Sequence, residues 1–498
     1  MKSIFSLSIL LIINILSYSQ TTFFKYFPSQ YSESISELIQ TNNQEFILVG
    51  AKGPNDVESR GYCVKVNNIG NIIQTLDINS DNKISRLGTI NPFPGSQNRF
   101  VVSGDQELDN SNPVQSMLTF TVINDSLQVI QTKEIIMESG RRVNVWKATI
   151  VDDSILYLLA RYDSVSANQV DFIVLKLNLQ FDIIGRYHHP STYPMNVPQD
   201  IFFVKSNETI YVYYFGPIIN DITSTNNVLC LDRDLNYRYG APAERMITVN
   251  ISASPLNDSI FFVTGSAFSN HTADNRDIGL FLVNDSNKTI KVSEFWESYD
   301  TLVYPSRGGG MVSVDKKNSV IYLAGIFNMN FDNYPYLTKP TWVQFLKTDF
   351  DLNIKGHTLF GGDAVYFPSD IIDVKESGAL IVGTRFNHLT PDNKHVNIFI
   401  LKTDTAGRVL SLPENQKYLM SEAILAPNPG SEYCIALLGP QYKSATLRMY
   451  DMNGGTVLFT EIKQQKTKID LPGLAKGMYL YTFEHDGRII GRGKWIRE

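Results

Sequence analysis

The amino-acid sequence predicts an all-β protein, with a seven-bladed β-propeller followed by a small Ig-like antiparallel β-sandwich. The composition is rich in aromatic residues, at 11%, and in the β-branched residues that favour strands. A pattern of apolar strands recurs seven times between residues 20 and 411. A different pattern of short alternating strands fills residues 423–498. At 498 residues the chain is long enough to give each of these domains its own core.

Each repeat contains an apolar strand that ends in a small residue, such as FILVG at 46–50. A second apolar strand follows, as in IFILKTD at 398–404, and then a turn rich in Asn, Asp and Gly. Further strands, such as SISELIQ at 34–40 and NIIQTLDI at 71–78, precede and follow this pair. Four short strands in each unit of 51 to 60 residues indicate a propeller blade. The first apolar strands end at Gly50, Gly104, Ala160, Tyr214, Gly265, Gly325 and Gly383.

We interpret the small closing residue as a place where backbones crowd near a central channel and leave no room for a Cβ atom. Tyr214 breaks this pattern, so the fourth repeat fits it least well. The segment TFFKYF at 22–27 is expected to close the ring as a strand of the last blade. The alternatives are an array of β-sandwiches and a propeller of six or eight blades.

The first 19 residues have the features of a signal peptide. Lys2 supplies a positive start, residues 4–16 are mainly apolar, and a small-x-small motif ends at Ser19. We therefore expect cleavage between Ser19 and Gln20. An uncleaved membrane anchor is the alternative, although the apolar stretch is short for a membrane span. No later stretch is long and apolar enough to predict a transmembrane segment in the mature chain.

The composition changes at residues 412–422, which are polar and contain a proline, so we interpret them as a linker between the propeller and the C-terminal domain. Residues 423–498 then read as about seven short strands. The entry APNPGSEY keeps the chain extended, and the pairs Asn453-Gly454 and Asp486-Gly487 suit hairpin turns. These features predict an antiparallel β-sandwich.

Several motifs follow one another in this C-terminal domain. Their residues are Pro427, Asn428, Pro429, Asp451, Asn453, Gly454, Gly477, Tyr479, Gly487 and Lys494. This order of motifs resembles the type A sorting domain of type IX secretion cargo from Bacteroidetes, although Gly455 and the final WIRE depart from the family pattern. The resemblance implies that the domain is an address recognised by the type IX secretion machinery, and that the protein is secreted or held at the outer-membrane surface. An ordinary accessory β-sandwich is the alternative.

The sequence contains no recognisable catalytic motif, and we assign no catalytic, metal or cofactor-binding residues. HExxH, GxSxG and P-loop patterns are absent. His188 and His189 are the only adjacent histidines, and neighbours on a strand point to opposite faces. Cys63, Cys230 and Cys434 are odd in number and far apart, which favours buried thiols over disulfides or zinc binding. The formal charge of −6 argues against a nucleic-acid partner.

Two hypotheses remain for the propeller. The first is a non-enzymatic protein that binds a glycan or protein ligand with its long loops. The second is a hydrolase or lyase acting on an extracellular polymer, which requires convergent acids with perturbed pKa values at the channel mouth. The loops are expected at residues 51–60, 105–116, 215–226, 266–277, 326–341 and 384–396.

Overall fold

The computed structural model describes residues 22–54, 59–78, 84–109, 114–164, 169–189, 196–216, 225–243, 251–268, 276–295, 303–305, 311–327, 340–375, 377–389, 395–409, 420–421, 423–426, 428, 430–439 and 442–497. The expected cleavage position at Ser19 and Gln20 lies outside these residues. Within them, the elements are β-strands and one short 3-10 helix, Lys205–Asn207. No helix among them is long and apolar enough to cross a membrane.

After β1 (Phe23–Phe27), the body of the chain folds into consecutive antiparallel sheets, each built from strands that follow one another in the sequence. Sheet 1 contains β2 (Ser32–Gln40), β3 (Phe46–Gly53), β4 (Arg60–Val66) and β5 (Ile72–Ile78). Sheet 2 contains β6 (Ser85–Pro92), β7 (Arg99–Asp109), β8 (Gln115–Asn124) and β9 (Val129–Ile136). Sheet 3 contains β10 (Arg141–Val151), β11 (Ile155–Ser164), β12 (Phe172–Leu177) and β13 (Ile183–His189).

The next sheets repeat the same order. Sheet 4 contains β14 (Val197–Val204), β15 (Thr209–Gly216), β16 (Thr225–Asp232) and β17 (Tyr237–Pro242). Sheet 5 contains β18 (Ser252–Pro255), β19 (Ile260–Phe268), β20 (Arg276–Asn284) and β21 (Thr289–Phe295). In sheet 6, two short strands pair with the same neighbour, so its members are β22 (Val303–Pro305), β23 (Val312–Asp315), β24 (Val320–Phe327), β25 (Trp342–Asp349) and β26 (Ile354–Gly361).

The N-terminal strand closes the array. Sheet 7 contains β27 (Val365–Val374), β28 (Gly378–Phe386) and β29 (Val396–Lys402), and its fourth strand is β1, which pairs with β29. The expectation that residues 22–27 supply a strand of the last repeat is therefore confirmed. Phe24 on β1 packs against the rings of Phe360, Tyr366 and Phe399, so the closing strand is also fixed by aromatic contacts.

A separate buried apolar cluster joins each sheet to the next. The cluster between sheets 1 and 2, for example, contains Val49 and Phe100. Another contains Phe46 of sheet 1 and Val382 of sheet 7, so the contacts return to their starting point. The strands are continuously apolar because both of their faces are covered. This all-β arrangement of consecutive sheets, closed by a strand from the other end of the chain, is a β-propeller.

The small residue was expected to end the second strand of each sheet, but it lies within that strand, and in sheets 1, 2, 3 and 7 it faces a β-bulge in the first strand. The bulges fall at matching places, for example between Ile35 and Glu37 in β2 and between Pro368 and Asp370 in β27. A Cβ atom on Gly50 would lie 1.9 Å from the carbonyl oxygen of Ser34, and one on Gly383 would lie 2.1 Å from that of Phe367. The crowding predicted from the sequence is therefore real, and its cause is the bulged strand within the same sheet.

Tyr214 does not disturb the fourth repeat. Sheet 4 has the same four-strand order as sheets 1 to 3, and Tyr214 pairs with Pro198 at the bulge of β14. Its side chain is buried against Phe172 of sheet 3, with a distance of 5.2 Å between ring centroids. A large side chain fits here because the Tyr214 ring points away from sheet 4 and fills the space between sheets 3 and 4.

The C-terminal part of the chain forms two further sheets. Their strands are β31 (Ala423–Ala426), β32 (Tyr433–Leu438), β33 (Ala445–Tyr450), β34 (Thr456–Ile462), β35 (Lys466–Asp470), β36 (Gly477–His485) and β37 (Arg488–Arg497). Sheet 8 has the order β31-β32-β35, and sheet 9 has the order β34-β33-β36-β37. A preceding short strand, β30 (Met420–Ser421), lies within the expected linker and pairs with β26 of sheet 6.

Candidate functional site

Four charged residues from four different sheets meet on the first strands of the propeller. Lys147 on β10 forms a hydrogen bond and ion pair with Glu37 on β2. Burial alone would lower the pKa of Lys147, but the negative charges of Glu37, Asp370 and Asp200 outweigh this effect and raise it. The lysine therefore remains charged and holds three carboxyl groups around it.

The carboxylates of this cluster bind the backbone of the neighbouring sheet. Asp370 accepts the Leu38 N–H at 2.9 Å, Glu37 accepts the Ile90 N–H at 2.7 Å, and Asp200 accepts the Ala253 N–H at 2.7 Å. Each bond joins the first strand of one sheet to the first strand of the next. The carboxylates thus connect neighbouring sheets, because each first strand is the edge strand of its sheet and its outward N–H groups have no partner in their own ladder.

Burial raises the pKa of two of these carboxyl groups. It raises the pKa of Asp200 to about 6, and it also raises the pKa of Asp370. Asp105 on β7 plays the same role for the Val145 N–H, at 2.8 Å, and burial raises its pKa to about 6. Convergent acids with perturbed pKa values are therefore present, but their oxygens are committed to the backbone.

A pocket of about 300 Å³ lies between sheets 7, 1 and 2. It opens where β2 begins and β3 ends, on the side of the ring where second and third strands are connected; we call this the loop side. Its polar lining comes mainly from Ser34, Lys52, Arg86 and the buried Glu33. Lys52 and Val396 belong to the segments 51–60 and 384–396, which were predicted to be loops, but the structure places Lys52 within β3 and Val396 at the start of β29.

The pocket contains two cations and one carboxylate. The Lys52 ammonium lies 3.6 Å from the Glu33 carboxylate, and it also lies over the rings of Tyr62 and Tyr31, at 4.6 and 5.1 Å from the centroids. Burial raises the pKa of Glu33, although the Lys52 charge opposes the shift. Arg86 is exposed at the opening. The pocket is therefore suited to a ligand that carries negative charge and hydroxyl groups.

Arg86 and Glu33 were not predicted as pocket residues, because neither belongs to a predicted loop. Glu33 lies at the start of β2 and Arg86 at the start of β6. Both are separated from Lys52 in sequence, and no motif links them. Their positions at the starts of β2 and β6 could have indicated the pocket, because the beginnings of successive first strands lie side by side on the loop side of a propeller.

The two adjacent histidines point in opposite directions. His188 Nε2 lies 3.1 Å from an Asp171 oxygen that also accepts a bond from Arg141. His189 is buried, with its ring stacked on Phe172 at a centroid distance of 4.7 Å, and burial lowers its pKa to about 4. They do not share a ligand position, and the described residues include no group of three or more His, Cys, Asp or Glu side chains placed to hold a metal ion.

The three cysteines lie in three different apolar clusters between neighbouring sheets. Cys63, Cys230 and Cys434 are each fully buried and unpaired, as expected for small apolar side chains. Burial raises the pKa of each thiol to about 12, so none is a reactive thiolate at neutral pH.

In the C-terminal part, two of the motif residues meet directly. The Asn428 side chain donates to the Lys494 carbonyl at 2.7 Å and accepts the Ile496 N–H at 3.0 Å. Asn428 thereby continues the ladder of β37 in place of a strand. The flanking Pro427 and Pro429 lie outside the described residues. Lys494 itself is exposed on β37.

The other motif residues form turns and the neighbouring strand. Asp451 Oδ1 accepts the N–H groups of Asn453 and Gly455, at 2.9 and 2.8 Å, and Gly454 has a φ of +83°. This side chain fixes the hairpin between β33 and β34. Gly487, with a φ of +76°, occupies the turn between β36 and β37. Gly477 and Tyr479 begin β36, which pairs with the end of β37.

Residues 425–496 match the family model described as the secretion system C-terminal sorting domain. No curated protein matches the chain. Among solved structures, the β-propeller domain of the Trilobed protease from Pyrococcus furiosus is 10% identical, with a TM-score of 0.42, and the match covers 78% of this chain and 98% of that chain.

Two further structures have similar scores. For the hypothetical selenium-binding protein from Sulfolobus tokodaii, the identity is 10%, the TM-score is 0.41, and 95% of this chain and 97% of that chain are covered. For the acylaminoacyl peptidase from Pyrococcus horikoshii, the identity is 9%, the TM-score is 0.42, and 83% and 59% are covered. Likenesses this distant carry no information about chemistry. The match at the C-terminus is informative about export: the chain carries a C-terminal sorting domain, and it is cargo of the type IX secretion system.

Proposed function

We propose that the chain is an exported protein with a seven-bladed propeller, residues 20–411, that binds a glycan or protein ligand in the pocket of the loop side. In this proposal, residues 412–422 are a linker, and residues 423–498 are an Ig-like sandwich that serves as the address. The mature protein is secreted or held at the outer-membrane surface. In this proposal sheets 1 to 7 each form one blade. The buried apolar clusters support this count, because they join each sheet to the next and sheet 7 back to sheet 1.

The observation that carries the binding function is the charge of the pocket. Lys52 and Arg86 face one buried carboxyl group, Glu33, whose pKa is raised by burial. The excess of positive charge favours a ligand with carboxylate or sulfate groups. The serine hydroxyls that line the pocket favour a saccharide, because hydroxyl groups both donate and accept hydrogen bonds with those of a sugar.

The test is a binding screen with the mature chain on an array of neutral, uronate-bearing and sulfated glycans. We expect binding to acidic glycans that weakens about tenfold or more in Lys52→Ala, since this substitution removes a charge-assisted contact. Lys291→Ala is the matched control, because Lys291 is a partly exposed lysine on sheet 5. If Lys52→Ala and Lys291→Ala bind alike, the pocket is not the binding site. If neither acidic nor neutral glycans bind, the glycan assignment fails.

Glu33 gives the hydrolase or lyase alternative one point of support. A buried carboxyl group with a raised pKa beside a cationic pocket has the character of a general acid. Incubation of each bound polymer with the mature chain, followed by chromatography of the products, tests this alternative. Chain cleavage that disappears in Glu33→Gln would replace the binding function with an enzymatic one. Intact polymer with retained binding supports the first proposal.

A further inference from the structure

The sorting domain is attached to the propeller by more than a linker. The side of sheet 8 that faces away from the domain's own core carries Ile424, Ala426, Ile435 and Leu437, all buried. These side chains belong to the same apolar cluster as Leu359 of sheet 6 and residues of sheet 5. The pairing of β30 with β26 adds backbone hydrogen bonds to this interface. One face of the sorting domain is therefore sealed by the propeller.

The opposite side of the domain is open. On the outward side of sheet 9, Phe459 is 61% exposed, Leu480 48% and Met478 40%. We call this side the open face; its central residues are Arg448, Phe459, Met478, Leu480 and Lys494. Large apolar side chains grouped on one exposed sheet face are unusual in a soluble protein, and they mark interaction surfaces.

Cations alternate with the apolar residues on the open face. The Arg448 guanidinium lies over the Phe459 ring, 4.8 Å from its centroid, and these two residues are directly opposite each other in the ladder. Lys494 lies opposite Leu480 on the next strand. The acids of this side, Glu461 and Glu484, lie opposite Thr446, in the row of residues next to the Arg448–Phe459 pair and away from Leu480. The centre of the open face is thus apolar and positively charged.

We propose that the type IX secretion machinery binds the open face while the sorting domain remains docked on the propeller. The inference rests on the sorting assignment, and it adds which surface is recognised. A partner that fits presents an apolar surface edged by carboxylates, which would pair with Arg448 and Lys494 while Phe459 and Leu480 are buried. The face of sheet 8 is excluded as the recognition surface, because the propeller already occupies it.

The test uses the full-length chain in a native host with type IX secretion. Phe459→Ser combined with Leu480→Ser removes the apolar centre, and Arg448→Glu combined with Lys494→Glu reverses its charge. Ile73→Ser combined with Val129→Ser is the matched control, because these residues are 47% and 49% exposed on the outer strands of sheets 1 and 2. Export is measured as the fraction of the protein in the medium and on the cell surface, and the melting temperature of each purified variant reports folding.

We expect both open-face variants to be exported about tenfold less than the wild type, since loss of a central anchor of an interface typically weakens binding by this much or more. The control should be exported normally. Normal export of the charge-reversed variant, which keeps the apolar core intact and should fold, would overturn the proposal. Deletion of residues 422–498 separates the two claims: if the deletion blocks export and the open-face variants do not, only the choice of face is wrong.

Discussion

At the scale of single residues, the buried charges of this propeller stabilise the contacts between neighbouring sheets. Asp370, Glu37 and Asp200 each bind an N–H group of the following sheet, and Lys147 neutralises part of their charge. A buried charge without a partner is strongly destabilising. The lysine is therefore required by the carboxylates around it, although the sequence around it, VWKATIVD, reads as an ordinary half-buried strand.

Lys147→Met should destabilise the propeller by about 3 to 5 kcal/mol at pH 8, since it leaves buried carboxylates without a counter-charge. The loss should be smaller at pH 5, because the pKa of Asp200 is raised to about 6 and this group is then largely protonated. Urea denaturation at both pH values measures the difference. Lys176→Met is the control; its partner Asp234 is exposed, so the change should be about 1 kcal/mol or less. Equal effects of the two substitutions would contradict this account.

His189 should make stability depend on pH. Burial lowers its pKa to about 4, so the folded protein keeps the ring neutral while the unfolded chain binds a proton below about pH 6.5. The unfolded state then binds more protons, and stability falls as the pH drops from about 6.5 to about 4. The contribution is at most about 3 kcal/mol.

His189→Phe tests this dependence, because a phenyl ring can stack on Phe172 without titrating. The free energy of unfolding should decrease less in this variant than in the wild type between pH 6.5 and pH 4. Asp105 and Asp200 have the opposite effect in an overlapping range, since their raised pKa values stabilise the fold as the pH falls. The difference between variant and wild type isolates the histidine. Parallel pH profiles would show that His189 titrates normally.

At the scale of elements, the recurrent unit is a bulged first strand facing a small residue. Gly383 lies against the Phe367 carbonyl, and Gly50 lies against that of Ser34. The apolar strands and their turns could be predicted because period and turn chemistry are local properties. The bulges could not, since a bulge is a property of two paired strands, and the sequence of either one reads as regular.

Gly383→Ala should lower the free energy of unfolding by about 1 to 3 kcal/mol, because the added methyl group meets backbone that cannot move away without shifting the bulge. Gly473→Ala is the matched control, since a Cβ atom there has no neighbour within 4 Å. Its effect should stay within about 0.5 kcal/mol. Differential scanning calorimetry of both variants measures these changes in stability. If Gly383→Ala is as stable as the control, contact with the bulged strand is not the reason for glycine at this position.

At the scale of the whole molecule, the propeller and the sorting domain share an apolar cluster. Sheet 8 is covered on one side by the domain's own core and on the other by sheets 5 and 6. The sequence contained a signal for this: AILA at 423–426 and YCIALL at 433–438 are continuous apolar runs, as in strands buried on both faces. From the sequence alone these runs predict only strands of a β-sandwich, because nothing local identifies the partner surface.

The candidate pocket shows the same limit. Lys52 lies in a predicted loop, but Arg86 and Glu33 reach the pocket only because the ring places sheets 1 and 2 side by side. The sorting motif was recognisable because its residues are close in sequence and ordered. The ligand pocket was not, because it is assembled across repeats. The sequence therefore predicts the sorting function but not the ligand pocket, because the pocket depends on contacts between repeats that are distant in the sequence.

We infer that the C-terminal sorting domain acts as the export address of a folded propeller. Fractionation of native host cells that express the full-length chain or a chain ending at residue 421 tests it most directly. The full-length protein should reach the medium or the cell surface, and the truncated protein should remain inside the cell envelope. Truncated protein found in the medium in the same proportion as the full-length protein, without cell lysis, would contradict the account.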